Sequence, residues 1–161
     1  MVTLRQYVRA DQESFTALAS DPDVMRYVGL RRALTEEQAR ADFAKNFDTA
    51  TSDPAHFIAV VDEDGEYAGH CEIFRRQGRT EWEINYFLRR KRWGQSLGGQ
   101  VVDLLLREAQ ERALPFLIAT ADERNIASLA ILRRRGFVRD ETLSASLGMN
   151  ALRLTIGPVG V

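Results

Sequence analysis

The sequence predicts an α/β (α+β) fold, a mixed and mainly antiparallel twisted sheet of about six or seven strands flanked by about four helices. Three observations predict it. From His56 to Leu88 the apolar residues alternate as in strands, with breaks at Asp64-Gly65 and Gln77-Gly78 that read as hairpin turns. The next stretch, QSLGGQVVDLLLREAQERA, switches to helical spacing. After it, LPFLIATA is the short, almost continuous apolar run of a buried strand, and NIASLAILRRR is again helical.

The elements follow in order. TLRQYVR reads as an opening strand, and DQESFTALASD as a helix capped by Asp11 with Phe15, Leu18 and Ala19 on one face. LTEEQARADFAKNF starts on Thr35 with acidic residues behind it, a capping-box pattern, and carries Ala39, Phe43 and Phe47 as an apolar stripe. HFIAVVDE, YAGHCEIFRR and RTEWEINYFL form an antiparallel meander. In the long helix Leu97, Val101, Leu105 and Ala109 share a face, with Asp103, Arg107, Glu108 and Glu111 on others. Gly136 suits the left-handed residue that closes the helix of NIASLAILRRR, and FVRDETL and NALRLTIG read as two final strands joined around SASLGMN. No repeat, low-complexity tract or linker divides the chain, so one domain spanning 1–161 is expected.

Composition narrows the function classes. With 45% apolar and 28% charged residues the chain has the balance of a globular protein, and its net charge of −1 supplies no global field for nucleic acid or an anionic membrane. The N-terminus lacks an apolar stretch of signal-peptide length, and no run approaches the roughly 20 apolar residues of a membrane span. A lone cysteine, Cys71, cannot pair internally, which fits a reducing, cytoplasmic setting. Two histidines and one cysteine leave out the usual zinc clusters, so no metal is expected.

The segment YFLRRKRWGQSLGGQVV carries the strongest signal. A strand ends near Leu88 and a helix opens at a turn rich in small residues, Gly94, Ser96, Gly98 and Gly99. The first turn of a helix has unpaired N–H donors and the positive end of the dipole, so a pyrophosphate fits there; glycines before a helix can equally be mere turn residues. Arg89, Arg90, Lys91 and Arg92 could draw phosphates or could form a solvated loop, and nucleic-acid binding is disfavoured because only Trp93 interleaves with them.

Together with the later ATADERNIASLAILRRRGF, this segment resembles the cofactor-binding core of GNAT acetyltransferases, in particular the ribosomal-protein N-terminal acetyltransferase branch. The branch pattern is an aromatic and Leu at a strand end, a Pro, WGxGYA at a helix start, and NxxSxxxLxxxGF. The sequence supplies Phe87, Leu88, Trp93, Gly94, Asn125, Ser128, Leu132, Gly136 and Phe137, over about two thirds of the chain. It departs from the pattern in having Arg90 for the Pro and Ser96 for the second turn glycine. The resemblance implies acetyl-CoA as co-substrate, with Phe87 and Leu88 pairing with the pantetheine arm, Trp93, Gly94, Gln95, Ser96, Leu97, Gly98 and Gly99 cradling the pyrophosphate, and Asn125 touching the arm.

Acetyl transfer to an amine needs a base, an oxyanion donor and a proton for the leaving thiolate. Glu72 and Glu83 are the carboxylates in position. A two-residue Gln77-Gly78 loop would pair Arg76 with Arg79 and set Glu72 opposite Glu83, so that like charges hold back ionisation of one; the plain alternative is that both face solvent or arginines. Glu83 is favoured as the base, since it resembles the Glu before the aromatic in the branch, with Glu72 in reserve. Many family members carry a tyrosine acid where this chain has Leu132; Ser128 is the substitute donor, or else a residue of the turn that Asn125 caps. A backbone N–H near Leu88 is the expected oxyanion donor. His56, His70 and Cys71 are read as structural.

These readings give an N-acetyltransferase acting on a peptide N-terminus or a small-molecule amine by direct attack in a ternary complex. The competing class is a non-catalytic acyl-CoA sensor on the same fold. No nucleic acid or membrane partner is expected, and homodimerisation is possible, as in many relatives.

Overall fold

The structure, a computed structural model, describes residues 1–29, 31–49 and 56–157. The elements in chain order are β1 (Val2–Gln6), α1 (Gln12–Ala19), α2 (Pro22–Met25), α3 (Glu36–Thr49), β2 (Ile58–Asp62), β3 (Tyr67–Phe74), β4 (Glu83–Leu88), α4 (Leu97–Glu111), β5 (Phe116–Thr120), α5 (Ile126–Arg134), β6 (Val138–Arg139), α6 (Glu141–Leu147) and β7 (Ala151–Thr155). Short 3-10 turns at Arg9–Asp11 and Arg90–Arg92 complete them. The sheet is seven-stranded in the order β1-β2-β3-β4-β5-β7-β6, mostly antiparallel, with β4 and β5 parallel. That is the predicted fold class. The chain divides into two compact units, residues 1–72 with 86–101, and residues 73–85 with 102–161.

In the first unit β1 and β2 pair antiparallel from Val2↔Asp62 to Gln6↔Ile58, and β2 pairs with β3 through a bulge at Val60/Val61. Its core is aromatic: Tyr7, Phe15, Phe43 and Phe57 pack with Leu18, Val24, Met25 and Tyr67, which buries the apolar stripes of α1 and α3. Full burial of a side chain such as Phe43 contributes about 1.5–3 kcal/mol. The capping box of α3 forms as predicted. Gln38 N–H donates to Thr35 Oγ1 and Thr35 N–H donates to Gln38 Oε1, both at 3.1 Å, so it is the glutamine that closes the box. Asp11 corrects the prediction. Its carboxylate does not cap α1 but turns back to accept from Val8 N–H at 2.8 Å and from Arg5 at 2.7 and 2.9 Å.

In the second unit β5 runs antiparallel to β7 from Phe116↔Thr155 to Thr120↔Ala151, and β6 pairs with β7 over two residues. Ile118, Leu143 and Ala151 form a small core cluster, and Val102, Leu105 and Ala109 of α4 are buried. The segment read from sequence as a strand and a loop, ETLSASL, is the helix α6. Asp140 caps it by accepting from Leu143 N–H at 2.8 Å, and Gly148 closes it in the left-handed region at φ 65°. The cap and the stop outweighed a short apolar alternation. This helix and the four-residue α2, which Asp21 caps, raise the helix number above the four expected. The turn at Gln77-Gly78 forms, with Arg79 N–H donating to Arg76 O at 3.0 Å and Gly78 at φ 75°. Strand β3 nonetheless stops at Phe74 and β4 starts at Glu83, so the ladder does not reach the turn.

Candidate functional site

The first unit holds the whole segment from the end of β4 to the start of α4. Arg89 N–H donates to Ala68 O at 2.9 Å, which fixes the end of β4 against β3. The approach is close enough that only glycine fits at position 69: a Cβ there would lie 2.4 Å from Phe87 O and 2.9 Å from Leu88 Cα. N–H groups alternate in direction along a strand, so the Leu88 N–H points away from β3. Its carbonyl accepts from the Trp93 indole N–H at 2.9 Å, holding a half-exposed ring in place.

The turn that follows has two left-handed residues, Gly94 at φ 73° and Ser96 at φ 60°. Left-handed residues in such a turn can bring neighbouring N–H groups to face one concavity, as in an anion-binding nest, and the first turn of α4 adds its own unpaired donors. A Cβ at Gly94 would meet nothing within 4 Å, so the surface there is open. The backbone therefore suits a pyrophosphate.

Of the basic run ahead of it, most side chains are engaged. Arg89 donates to Tyr67 O at 3.2 Å, Arg90 pairs with Asp21 and Asp23 at 2.8 and 2.9 Å, and Arg92 pairs with Asp62. Arg90, which stands where the resemblance has a proline, thus ties the turn to the N-terminus of α2. Lys91 is exposed and has no ion-pair partner among the described residues.

Beside this segment lies a polar cluster of which the sequence points only to Glu72, as the reserve base. The His70 ring packs on Phe87, centroids 4.9 Å apart. Glu72, two residues along the same face of β3, sits 3.3 Å from His56 Nδ1 and 3.8 Å from His70 Nε2. His56 Nε2 meets Asn46 Oδ1 at 3.2 Å. His70 Nδ1 lies 3.1 Å from the Tyr7 hydroxyl, which lies 2.9 Å from that of Tyr67. Burial first, and then the neighbouring Tyr67, pushes the Tyr7 phenol well above its usual range; burial does the same for Cys71, an inert core thiol. Asp42 on α3 faces solvent, yet its carboxyl is raised, first by the loss of water around it and then by Glu72, while His70, Asn46 and Lys45 pull the other way. The signals were present in the sequence as His70-x-Glu72 on a strand and Asp42-x-x-x-Asn46 on a helix. They were passed over because no serine or cysteine nucleophile accompanies the histidines.

The second unit holds the other predicted residues. Glu83 is buried, and both its oxygens are engaged: Arg76 donates at 2.6 and 2.8 Å and Thr120 Oγ1 donates at 2.7 Å. Of the alternatives open from sequence, Glu83 takes the arginine. Asn125 caps α5, its Oδ1 accepting from Ser128 N–H at 3.2 Å. Leu132, at the position of the family tyrosine, is core. Among the described residues no group of three or more His, Cys, Asp or Glu side chains is arranged to hold a metal ion, and no helix is long and apolar enough to cross a membrane.

Residues 1–138 match the family described as Acetyltransferase (GNAT) domain. The chain belongs to the GNAT acetyltransferase family. No curated protein matches it. Among solved structures, an acetyltransferase from Agrobacterium tumefaciens is similar with a TM-score of 0.80 and 18% identity, over 95% of this chain and 90% of that one. Spermidine N-acetyltransferase from Vibrio cholerae, in complex with CoA and spermine, is similar at TM-score 0.77 and 14% identity, over 96% and 95%. A GNAT phosphinothricin acetyltransferase from Sinorhizobium meliloti, in complex with AcCoA, follows at 0.69 and 20%, over 97% and 89%. At such identities the likeness is one of fold.

Proposed function

We propose that this GNAT protein transfers an acetyl group from acetyl-CoA to a primary amine, a peptide N-terminus or a small molecule, by direct attack in a ternary complex. One observation carries the reading: β4 ends at Leu88 in a turn whose left-handed Gly94 and Ser96 open onto the N-terminus of α4. The CoA and AcCoA complexes of the Vibrio and Sinorhizobium proteins support the same ligand here. Trp93 to Gly99 would hold its pyrophosphate, and the backbone of Phe87 and Leu88 its arm. When bound, acetyl-CoA supplies the activated thioester.

The chain's own groups do the rest. Arg89 N–H is spent on Ala68 O, so the Leu88 N–H, directed away from β3, is the candidate oxyanion donor. The base must accept a proton from the acceptor ammonium. Glu83 is buried with both oxygens bound by Arg76 and Thr120, which leaves the ammonium no approach to it. Glu72, on the strand face that His70 shares with Phe87, is the better candidate. It takes one proton from the ammonium, the amine lone pair so freed forms the new N–C bond as the C–S bond breaks, and the second proton that the acylated nitrogen sheds replaces the one given to sulfur. Ser128 is the candidate donor of a proton to the departing sulfur. The resemblance to the ribosomal N-terminal branch makes a peptide N-terminus one acceptor to include, and the single buried thiol suits a reducing cytoplasm.

The test is thiol release from acetyl-CoA across a panel of amines, with Glu72→Gln, Glu83→Gln and Ser128→Ala beside the parent protein. Glu72→Gln is expected to lower kcat by about 10²–10⁴-fold with the fold intact. Glu83→Gln is expected to lose about 2 kcal/mol of stability, because it leaves the half-exposed Arg76 without its carboxylate. A Glu83→Gln protein that is stable but inactive would return the role of base to Glu83. Acetyl-CoA binding without turnover on any amine would favour the sensor.

A further inference from the structure

The proton positions around Glu72 follow from its neighbours. Asn46 places its side-chain nitrogen 2.8 Å from the Asp42 carbonyl and 3.1 Å from the Asp42 carboxylate. A carbonyl can only accept, so that nitrogen is the NH2 group and the atom facing His56 is the amide oxygen. Its partner, His56 Nε2, must then be the donor and carry hydrogen. The other ring nitrogen, Nδ1, stands 3.3 Å from a Glu72 oxygen. A bare nitrogen lone pair against a bare carboxylate would repel, so this contact contains a proton, on one atom or the other.

His70 is held on both sides: its Nδ1 lies 3.1 Å from the Tyr7 hydroxyl and its Nε2 lies 3.8 Å from the remaining Glu72 oxygen. It is locked in the core, whereas His56 is about one third exposed. The backbone supports the special placement of His56. Its neighbour Phe57 adopts φ 68°, rare for a bulky aromatic residue, and its ring is held in the core against Tyr7, Phe15 and Phe43. That bend lies just before β2, where His56 meets Glu72.

We propose that His56, anchored through Asn46 to Asp42 on α3, is a positioning residue that forms one acid–base pair with Glu72, the two side chains sharing a single proton. The proposal rests on acetyl transfer with Glu72 as base. The geometry seen here is the proton-holding form. When the pair gives that proton to solvent it becomes receptive, with hydrogen only on His56 Nε2 and Glu72 ionised, and the lone-pair repulsion left behind favours taking a new proton. The acceptor ammonium gives one proton to Glu72, His56 Nδ1 stabilises it by sharing it, and the nitrogen keeps the electron pair for attack. The pair then returns the proton to solvent. The titratable and charged groups around it are His70, Tyr67 and Cys71 from β3, Tyr7 after β1, and Asp42 and Lys45 from α3.

Two measurements test this. Ring ¹⁵N shifts of His56 in the free protein are expected to show a protonated Nε2 and an Nδ1 signal that moves in Glu72→Gln; a bare Nε2 overturns the proposal. In His56→Gln, kcat is expected to fall about 10²-fold, with the KM for acetyl-CoA changed less than about twofold, and the acidic limb of kcat/KM to move about one pH unit or more downward. The direction follows because imidazole no longer shares the proton and the limb then reports a lone carboxyl. Asn46→Asp, a stronger acceptor for Nε2–H, is expected to move the limb upward. Unshifted limbs in both variants overturn the role. No turnover on any amine, with the ¹⁵N pattern intact, would instead sink the transfer reading and leave the shared proton standing.

Discussion

Ser96 shows at the scale of one residue how a departure from a family pattern can be read physically. The glycine expected at that place is explained by φ 60°, a conformation that costs a side-chain-bearing residue about 1–2 kcal/mol. Ser96→Gly removes that strain and returns about 0.4–1 kcal/mol to the unfolded chain as entropy. A net gain of about 0.5–1 kcal/mol in urea melts is expected. Ala113 makes the same argument independently: at φ 53° it follows the last turn of α4, where Leu114 N–H donates to Ala109 O at 3.0 Å, the usual place of a glycine. Ala113→Gly should stabilise by a similar amount. If both variants lose stability, the left-handed turns are not strained as described. The sequence showed that small residues cluster before α4, but not that Ser96 is left-handed, because a serine carries no mark of its φ. The histidines were illegible for a related reason: their meaning depends on Asn46 and Asp42, which come from a helix, and no local spacing connects the two.

Elements were legible where cap, period and stop agreed. Strands β1 to β5 and helices α1, α3, α4 and α5 were found near their true bounds, since each has a clear period and a terminal signal. Helix α6 was missed because its seven residues are too few for a period to show, although Asp140 and Gly148 mark both ends. Asp11 was identified as a cap yet serves the connection from β1 into α1. Burial alone would raise its pKa, but the bonds from Arg5 and Val8 prevail and hold it below the usual 3.8. A carboxyl lowered on folding adds stability above its unfolded pKa and loses it as pH falls through the folded value. Asp11→Asn is therefore expected to cost about 1–2 kcal/mol at pH 7. The parent and variant urea curves should converge as the pH drops below 3.8. Curves that stay separated in acid would show that the loss is one of packing and not of charge.

The number of domains is a question for the whole molecule. The boundary between the two compact units falls at residues 72/73, 85/86 and 101/102, which lie within β3, β4 and α4. Domain boundaries ordinarily fall in exposed, polar linkers, and none of these crossings is one. Cutting three regular elements would break ladder and helical hydrogen bonds in each, so the sequence-based expectation of a single domain predicts one cooperative transition. Scanning calorimetry should give a calorimetric enthalpy equal to the van't Hoff enthalpy, about 110 kcal/mol near 60 °C for a chain of 161 residues. Acetyl-CoA at one hundred times its Kd should add about 2.7 kcal/mol and move that whole peak upward. If the units melt apart, the ligand will move only the peak of the unit that contains Trp93 to Gly99, and the van't Hoff enthalpy will fall well below the calorimetric one. In that case the ligand-shifted peak identifies the half of the chain that binds acetyl-CoA.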